Sequence, residues 1–319
     1  MSAIIKHLVP SKTLGYRRFI DDKKSLLAAL IKKYNDLSSY SSANFSPYPI
    51  LVSDKIIKQV FHLHCLLIEA IKKVVKNYLA DKDIQALVNL PDKAIRLLQL
   101  ADNKDYEIGA IRPDFLIDKT GSIKICEINA RFPVNGFIMS QRLSEVAFHQ
   151  KFGDGVEPIN ENKRIITLVS NFFDLTKPIT IVKDKEGGYD IHLLRSDLEK
   201  LFNQIVIHVV SPQQLSLDRT RIYNGITHCD QFILELNQEE LLNMNTDVLN
   251  EIITNSRYFN DIRTIFIVHD KRLLAVLRDE KIMKKYLSPE QFHQLKDHII
   301  PTYVLDDKIQ KSITNDPSN

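Results

Sequence analysis

At 319 residues the chain is too long for one small core, and its length points to two or three domains. Its 44% hydrophobic and 26% charged residues are ordinary for a globular protein, and a net charge of +3 is too mild to argue for a nucleic-acid partner. Cys65, Cys126 and Cys229 lie too far apart for a disulfide framework or a zinc spacing, and no apolar run approaches membrane-spanning length.

The N-terminal stretch MSAIIKHLVPSKTLGYRRF has no long apolar core of the signal-peptide kind, so a reducing, cytoplasmic setting without a membrane partner is the expectation. Residues 21–37 place Leu26, Leu27, Leu30 and Ile31 at helical spacing, with Asp21 and Asp22 near the start. Ser38 to Ser42 is loop composition. A second helix is predicted over 53–79, with Ser53 as N-cap and an apolar stripe through Ile57, Val60, Phe61, Leu67 and Ile71. A third, over 91–101, opens with Pro91.

The texture then changes. Residues 111–117 and 122–129 read as two strands around the turn Asp118–Gly121, and a helix follows over 137–149. From 163 onward RIITLVSNFF and ITIVKDKEGGYDIHLL are strand-like, with Gly187 and Gly188 supplying a turn and Ser196 to Glu199 a helix start. IVIHVV, QFILEL and TIFIVHD are further candidate strands, with a polar helix over 238–254 between the last two. Helices are predicted over 270–285 and from Ser288-Pro289-Glu290, and the tail KIQKSITNDPSN is polar. Alternation of this kind predicts an α/β fold with at least partly parallel strands.

The chemistry concentrates in the hairpin. A symmetric closure pairs Asp118 with Ile123, Leu116 with Ile125, Asp114 with Glu127 and Arg112 with Asn129. Side chains alternate along a strand, so all four polar groups of the last two pairs converge on one side, although a bulge would shift the partners by one. Facing carboxylates repel and need a positive partner. Arg112 supplies part of it, and Arg131 follows Asn129 at the same parity. Asp114, Glu127 and Asn129 offer oxygen donors, which suit Mg2+. The arginines could then grip phosphate or carboxylate through their forked donors. The competing account is a structural ion-pair network on a solvated face.

Asn135-Gly136 beyond the strands is either a plain turn or a place where backbone N–H groups meet an anion. Gly153-x-Gly155 lacks the third glycine of a dinucleotide fingerprint, and no P-loop is present in the sequence. His62 and His64 do not share a helix face, and Cys65 completes no metal set. His192, His208, His228 and His269 sit in or beside apolar runs and read as packed core residues.

The segment RPDFLIDKTGSIKICEINARFPVNGF resembles the magnesium-binding core of the ATP-grasp superfamily. It is most similar to the circularly permuted branch of glutathionylspermidine synthetases and related carboxylate–amine ligases. That branch uses an Arg-x-Asp strand followed about a dozen residues later by Glu-x-Asn. The resemblance implies Asp114, Glu127 and Asn129 as Mg2+ ligands and Arg112 at a phosphate or acyl-phosphate. Arg131 and Asn135 are added as further phosphate or nucleotide contacts from their position alone. TIFIVHDKRLLAVL and HIIPTYVL resemble that branch's approach to its nucleotide-binding lobe, which there follows the segment matching Pro301-Thr302.

The organisation expected is a helical region over 1–104, metal-binding strands with a helix over 105–160, a Rossmann-like pre-grasp α/β domain over 161–305, and a tail or lobe start over 306–319. The function implied is an ATP- and Mg2+-dependent ligase joining a small-molecule carboxylate to an amine through an acyl-phosphate, or a fragment of one. The alternative is a binding or regulatory protein with an incomplete grasp, completed by a partner chain or homo-oligomer.

Overall fold

The computed structural model describes residues 5–7, 16–34, 45–118, 121–148, 162–185, 188 and 190–304. The Ser38–Ser42 loop, Gly153 and Gly155, Gly187, the middle of the Asp118–Gly121 turn and the KIQKSITNDPSN tail lie outside them. In chain order the elements begin with β1 (Ile5–His7), α1 (Tyr16–Lys33), β2 (Ile50–Val52), α2 (Asp54–Asn77), α3 (Lys82–Leu87) and α4 (Asp92–Ala101). The hairpin β3 (Arg112–Ile117) and β4 (Ile123–Asn129) follows, then α5 (Phe137–Phe148), α6 (Asn162–Phe172), β5 (Ile179–Lys183), α7 (Asp190–Leu201) and β6 (Ile207–Val210). The short strands β7 (Leu215–Asp218), β8 (Arg221–Asn224) and β9 (Thr227–Cys229) lead to β10 (Gln231–Glu235), α8 (Gln238–Asn243), α9 (Thr246–Asn255) and β11 (Arg257–Phe259). A π-helix, Thr264–Val268, precedes α10 (Leu273–Arg278), α11 (Glu280–Met283) and α12 (Pro289–Asp297).

The chain divides into two compact units, the first comprising Met1–Val60, Phe132–Leu236 and Met244–Phe259. Its centre is a parallel sheet in the order β11-β10-β5-β6, with α7 and α9 as crossovers. This is the α/β architecture that strand–helix alternation implies. Ile181 and Ile233 of the sheet pack with Leu26 and Leu30 of α1, Ile138 of α5, Ile166 of α6 and Leu194 of α7. Asp190 at the start of α7 accepts from the backbone N–H groups of Ile138 and Met139, tying α7 to the first turn of α5. Burial holds its carboxyl above the usual range, against those donated hydrogen bonds. The antiparallel ribbon β7-β8-β9 stands beside α9.

The second unit comprises Phe61–Arg131, Asn237–Asn243 and Asn260–Asn319. The β3–β4 hairpin belongs to it. Its outer edge is closed by the segment after α12, where Ile125 exchanges backbone hydrogen bonds with His298 and Ile300 at 2.7 and 3.1 Å. His298 Nδ1 also meets the Ile123 carbonyl at 2.8 Å. Asp81, the N-cap of α3, accepts from Lys285 at 2.9 Å and from the Tyr286 hydroxyl at 2.6 Å.

Several sequence expectations are corrected. Residues 163–172 are helical because Ile166, Val169, Ser170 and Phe173 are the buried positions, at spacings of three and four. The strand ending in DIHLL stops at Lys183, and α7 starts at Asp190, so Ser196 lies inside that helix. TIFIV is the π-helix: four consecutive apolar residues carry no period that separates strand from buried helix. The 270–285 helix breaks at Asp279, whose side chain caps α11 through the Ile282 N–H. α1 starts five residues early, at Tyr16. On α2, Ile57 and Phe61 are exposed, and the buried stripe runs instead through Ile56, Leu63, Leu67, Ile71 and Val74. Strands β7, β8, β9 and β11 had no sequence signal strong enough to name them.

The Asp81 clasp carries a pH signature. Burial alone would raise the Asp81 carboxyl, but hydrogen bonds from Lys285, Tyr286 and the Asp83 N–H outweigh it and bring it down to about 2. Its contribution to stability is therefore full above the usual carboxylate range and lost as pH falls toward 2. Asp81→Ala is expected to lower unfolding free energy by about 1–3 kcal/mol, combining a lost N-cap and an orphaned Tyr286 hydroxyl. Chemical denaturation at pH 7 checks this, and the deficit should shrink at the acid end.

Candidate metal centre

Strand β3 pairs antiparallel with β4, Arg112 facing Asn129, Pro113 facing Ile128 and Asp114 facing Glu127. These are the polar pairs expected from the sequence. Beyond Asp114 the register shifts: Phe115 faces Ile125, Leu116 faces Lys124 and Ile117 faces Ile123. Cys126 is the extra residue, a β-bulge, so the expected Leu116–Ile125 and Asp118–Ile123 pairs are both corrected.

The bulge resolves a conflict hidden in strict alternation. Ile123, Ile125, Glu127 and Asn129 are all odd-numbered, and an unbroken strand would turn them to one face. With the extra residue, Ile123, Ile125 and Ile128 are buried while Lys124, Glu127 and Asn129 turn to the other side. The Cys126 thiol donates to the Asp114 carbonyl at 3.3 Å, which fixes the bulge to the facing strand. Burial and the neighbouring Asp114 charge push this thiol up, keeping it in the protonated, donating form.

On the polar face Arg112 Nε donates to Asp114 Oδ1 at 3.0 Å, and Asn129 Nδ2 donates to Asp114 Oδ2 at 3.1 Å. Glu127 Oε1 lies 3.5 Å from the Lys271 ammonium. Arg112, Asp114, Glu127 and Asn129 are thus gathered into one cluster. Arg131 lies two residues beyond the end of β4, near enough to His269 for its charge to act on that ring. Asn135 belongs to the first unit, at φ 51°, with its amide donating to the Phe132 carbonyl at 2.7 Å. The N–H groups of the helix start after it, at Ile138 and Met139, turn onto Asp190, so the anion met there is the protein's own carboxylate.

The end of β4 is held by groups that the sequence did not reveal. Asn260, fully buried, donates through Nδ2 to the Ala130 carbonyl at 2.9 Å. Gly109, at φ +66°, lets the chain pass against the Asn260 amide oxygen, and a Cβ there would overlap it. His269, which ends the π-helix, sets its Nδ1 3.4 Å from both the Ile128 carbonyl and the Ala130 N–H. Only one of those bonds can exist at a time, because Nδ1 either donates or accepts. The sole available signal for this support was the charged run His269-Asp270-Lys271-Arg272 after four apolar residues.

The donor set fits a hard divalent cation in one respect. Among the described residues no group of three or more His, Cys, Asp or Glu is placed to hold a metal ion, so an ion here would rest on two carboxylates and an amide. Mg2+ is commonly held that way, with water and phosphate oxygens completing an octahedron. A caged, all-protein site for a structural metal does not match.

The sequence matches the family described as the AnkG N-terminal domain over residues 63–267. That range includes the hairpin and ends before Lys271. A protein of Aspergillus thermomutatus named ATP-grasp enzyme ankG is 23% identical over 323 residues, covering 88% of this chain and 66% of the relative. The chain thus spans just under two thirds of that relative's length. No helix among the described residues is long and apolar enough to cross a membrane.

Two outcomes are expected at this site. Burial first, then the Arg131 charge, pulls the His269 imidazole below the ordinary histidine range. Its titration midpoint by heteronuclear NMR should lie below that of an unfolded histidine, and stability should fall as pH drops below about 6.5, where the unfolded chain takes up the proton more readily. A midpoint at or above the unfolded value would contradict this. Gly109→Ala should cost more than about 2 kcal/mol, since it combines a left-handed φ with an overlap on a buried amide. A thermal melt within 2 °C of wild type would remove Gly109 and Asn260 as supports of the strand end.

Proposed function

The chain belongs to the AnkG N-terminal domain family, and from that premise we propose that it is the metal- and phosphate-binding part of an ATP-dependent carboxylate–amine ligase of circularly permuted ATP-grasp type. The observation that carries this reading is the bulged hairpin, which sets Asp114 against Glu127 and Arg112 against Asn129 on one face. The relative's description as an ATP-grasp enzyme supports it from an independent direction. In this reading residues 105–160 supply the metal strands and 161–305 the pre-grasp α/β part. The nucleotide-gripping lobe would come from chain beyond Pro301-Thr302 or from a partner.

Asp114 and Glu127 would hold Mg2+, and Asn129 would complete the protein's share of ligands through its amide oxygen. When bound, the ion screens the negative charge of ATP phosphates and polarises the phosphoryl group in transfer. The Arg112 guanidinium, oriented by its Nε–H to Asp114, presents a fork suited to phosphate or to a nascent acyl-phosphate. Arg131 adds a second cation near the end of β4. A carboxylate would take the γ-phosphoryl of ATP and release ADP. An amine would then attack the acyl carbon, form the amide and expel phosphate.

The test is an electron-paramagnetic titration of Mn2+, a spectroscopic stand-in for Mg2+, into the full chain. Asp114→Asn and Glu127→Gln should each weaken binding at least about tenfold, equivalent to ~1.4 kcal/mol, with circular dichroism unchanged. If both variants bind Mn2+ like wild type, the hairpin face is a surface ion-pair network and the ligase reading loses its support.

A further inference from the structure

Resting on that metal reading, the geometry points to Lys271 as an exchangeable cation: it neutralises Glu127 in the absence of metal, is displaced from it by the ion, and then binds the phosphate that accompanies the ion. Each carboxylate of the hairpin face carries its own positive partner, Arg112 on Asp114 and Lys271 on Glu127. The two pairs are built differently. Arg112 sits on the strand itself, two residues from its partner, and Asp114 also accepts from Asn129. Lys271 reaches Glu127 from a separate element, its side chain is 72% exposed, and 3.5 Å is a loose contact. An exposed lysine–carboxylate pair of this kind stabilises by little. A divalent ion outcompetes it.

The backbone around Lys271 is fixed while its side chain is not. The π-helix before it is buried throughout, from Thr264 to Val268. His269 closes that helix through its N–H to the Thr264 carbonyl at 3.1 Å. On the other side, Asp270 Oδ1 accepts from the Arg272 N–H at 2.8 Å, and Arg272 Nη1 donates to the Asn89 carbonyl at 3.1 Å. Single π-turns occur disproportionately at functional sites, where they re-aim the residues that follow. Here the re-aimed residue is an ammonium on a flexible four-carbon stem, a point charge able to move between two anions without backbone movement.

The prediction is a crossed effect. In Mn2+ titrations at low salt, Lys271→Met should bind the ion alone about two- to five-fold more tightly than wild type, because its internal competitor is gone. With inorganic pyrophosphate present the order should reverse, Lys271→Met retaining the Mn2+–pyrophosphate complex about three- to ten-fold less well. Lys284→Met, which removes an equal charge elsewhere on the unit, controls for net charge and should show neither change. A structural role for Lys271 would move both affinities in one direction. Mn2+ affinity unaffected or weakened in Lys271→Met, or an unreversed order with pyrophosphate, overturns this proposal alone. Failure of wild type to bind Mn2+ overturns the metal reading and this proposal with it.

Discussion

Opposite Asp114, strand β4 places two residues where β3 places one, and the facing of everything after Cys126 follows from that insertion. Before the bulge the odd positions Ile123 and Ile125 are buried; after it the odd positions Glu127 and Asn129 are turned to the polar side. Without it, one of two costs would be unavoidable. Either two isoleucines would leave the core, at about 1.5–3 kcal/mol each, or an acid and an amide would enter it unsatisfied. The bulge lets one short strand serve a dry face and a charged face in succession. The Cys126 thiol at the Asp114 carbonyl anchors the irregularity on the residue whose carboxylate needs placing.

A strand so irregular needs outside support, and the second unit supplies it at both ends. At the turn-proximal part, Ile125 is bracketed by the backbone of His298 and Ile300, so β4 is not a bare edge. At the far end, Asn260 holds the Ala130 carbonyl and His269 stands between the Ile128 and Ala130 backbone groups. Both residues flank the same piece of chain, the Asn260–His269 stretch that contains the π-helix. Arg263 reinforces that stretch, donating to the carbonyls of Lys104 and Asp105 while its Nε and Nη2 bind Asp261. The position of the carboxylate face therefore depends on residues more than 130 positions downstream of it.

That sequence distance explains which parts were legible beforehand. The hairpin was readable because its determinants are local: alternating residues around a Gly-containing turn, and Arg112, Asp114, Glu127 and Asn129 two by two in strands that are apolar apart from Lys124. The α/β class was readable for the same reason, since β5 and β6 are short β-branched runs and β10 a short apolar one, separated by helix-length segments. The errors fall where a local pattern has two solutions. RIITLV and TIFIV are β-branched enough for strands, yet tertiary burial at spacings of three and four, or on every side, makes the first an α-helix and the second a π-helix. The bulge could be anticipated only as an option, because choosing the register requires knowing which isoleucines are buried. Asn260 and Gly109 gave no sign, and the charged run after the π-helix marked His269 without showing what it touches: nothing local connects an asparagine at 260 with a carbonyl at 130.

The charges on the polar face bear on what kind of ion the proposed site would accept. Asp114 and Glu127 are offset by Arg112 and Lys271, so neither carboxylate carries an uncompensated negative charge as it stands. A bare divalent ion entering it would leave an excess of two positive charges within a few ångströms, and displacing Lys271 moves one of them only a side chain's length away. A polyphosphate arriving with the ion removes that excess, and both arginine and lysine gain an anion for the carboxylate each gives up or shares. Charge balance thus favours loading of metal and phosphate together over metal alone.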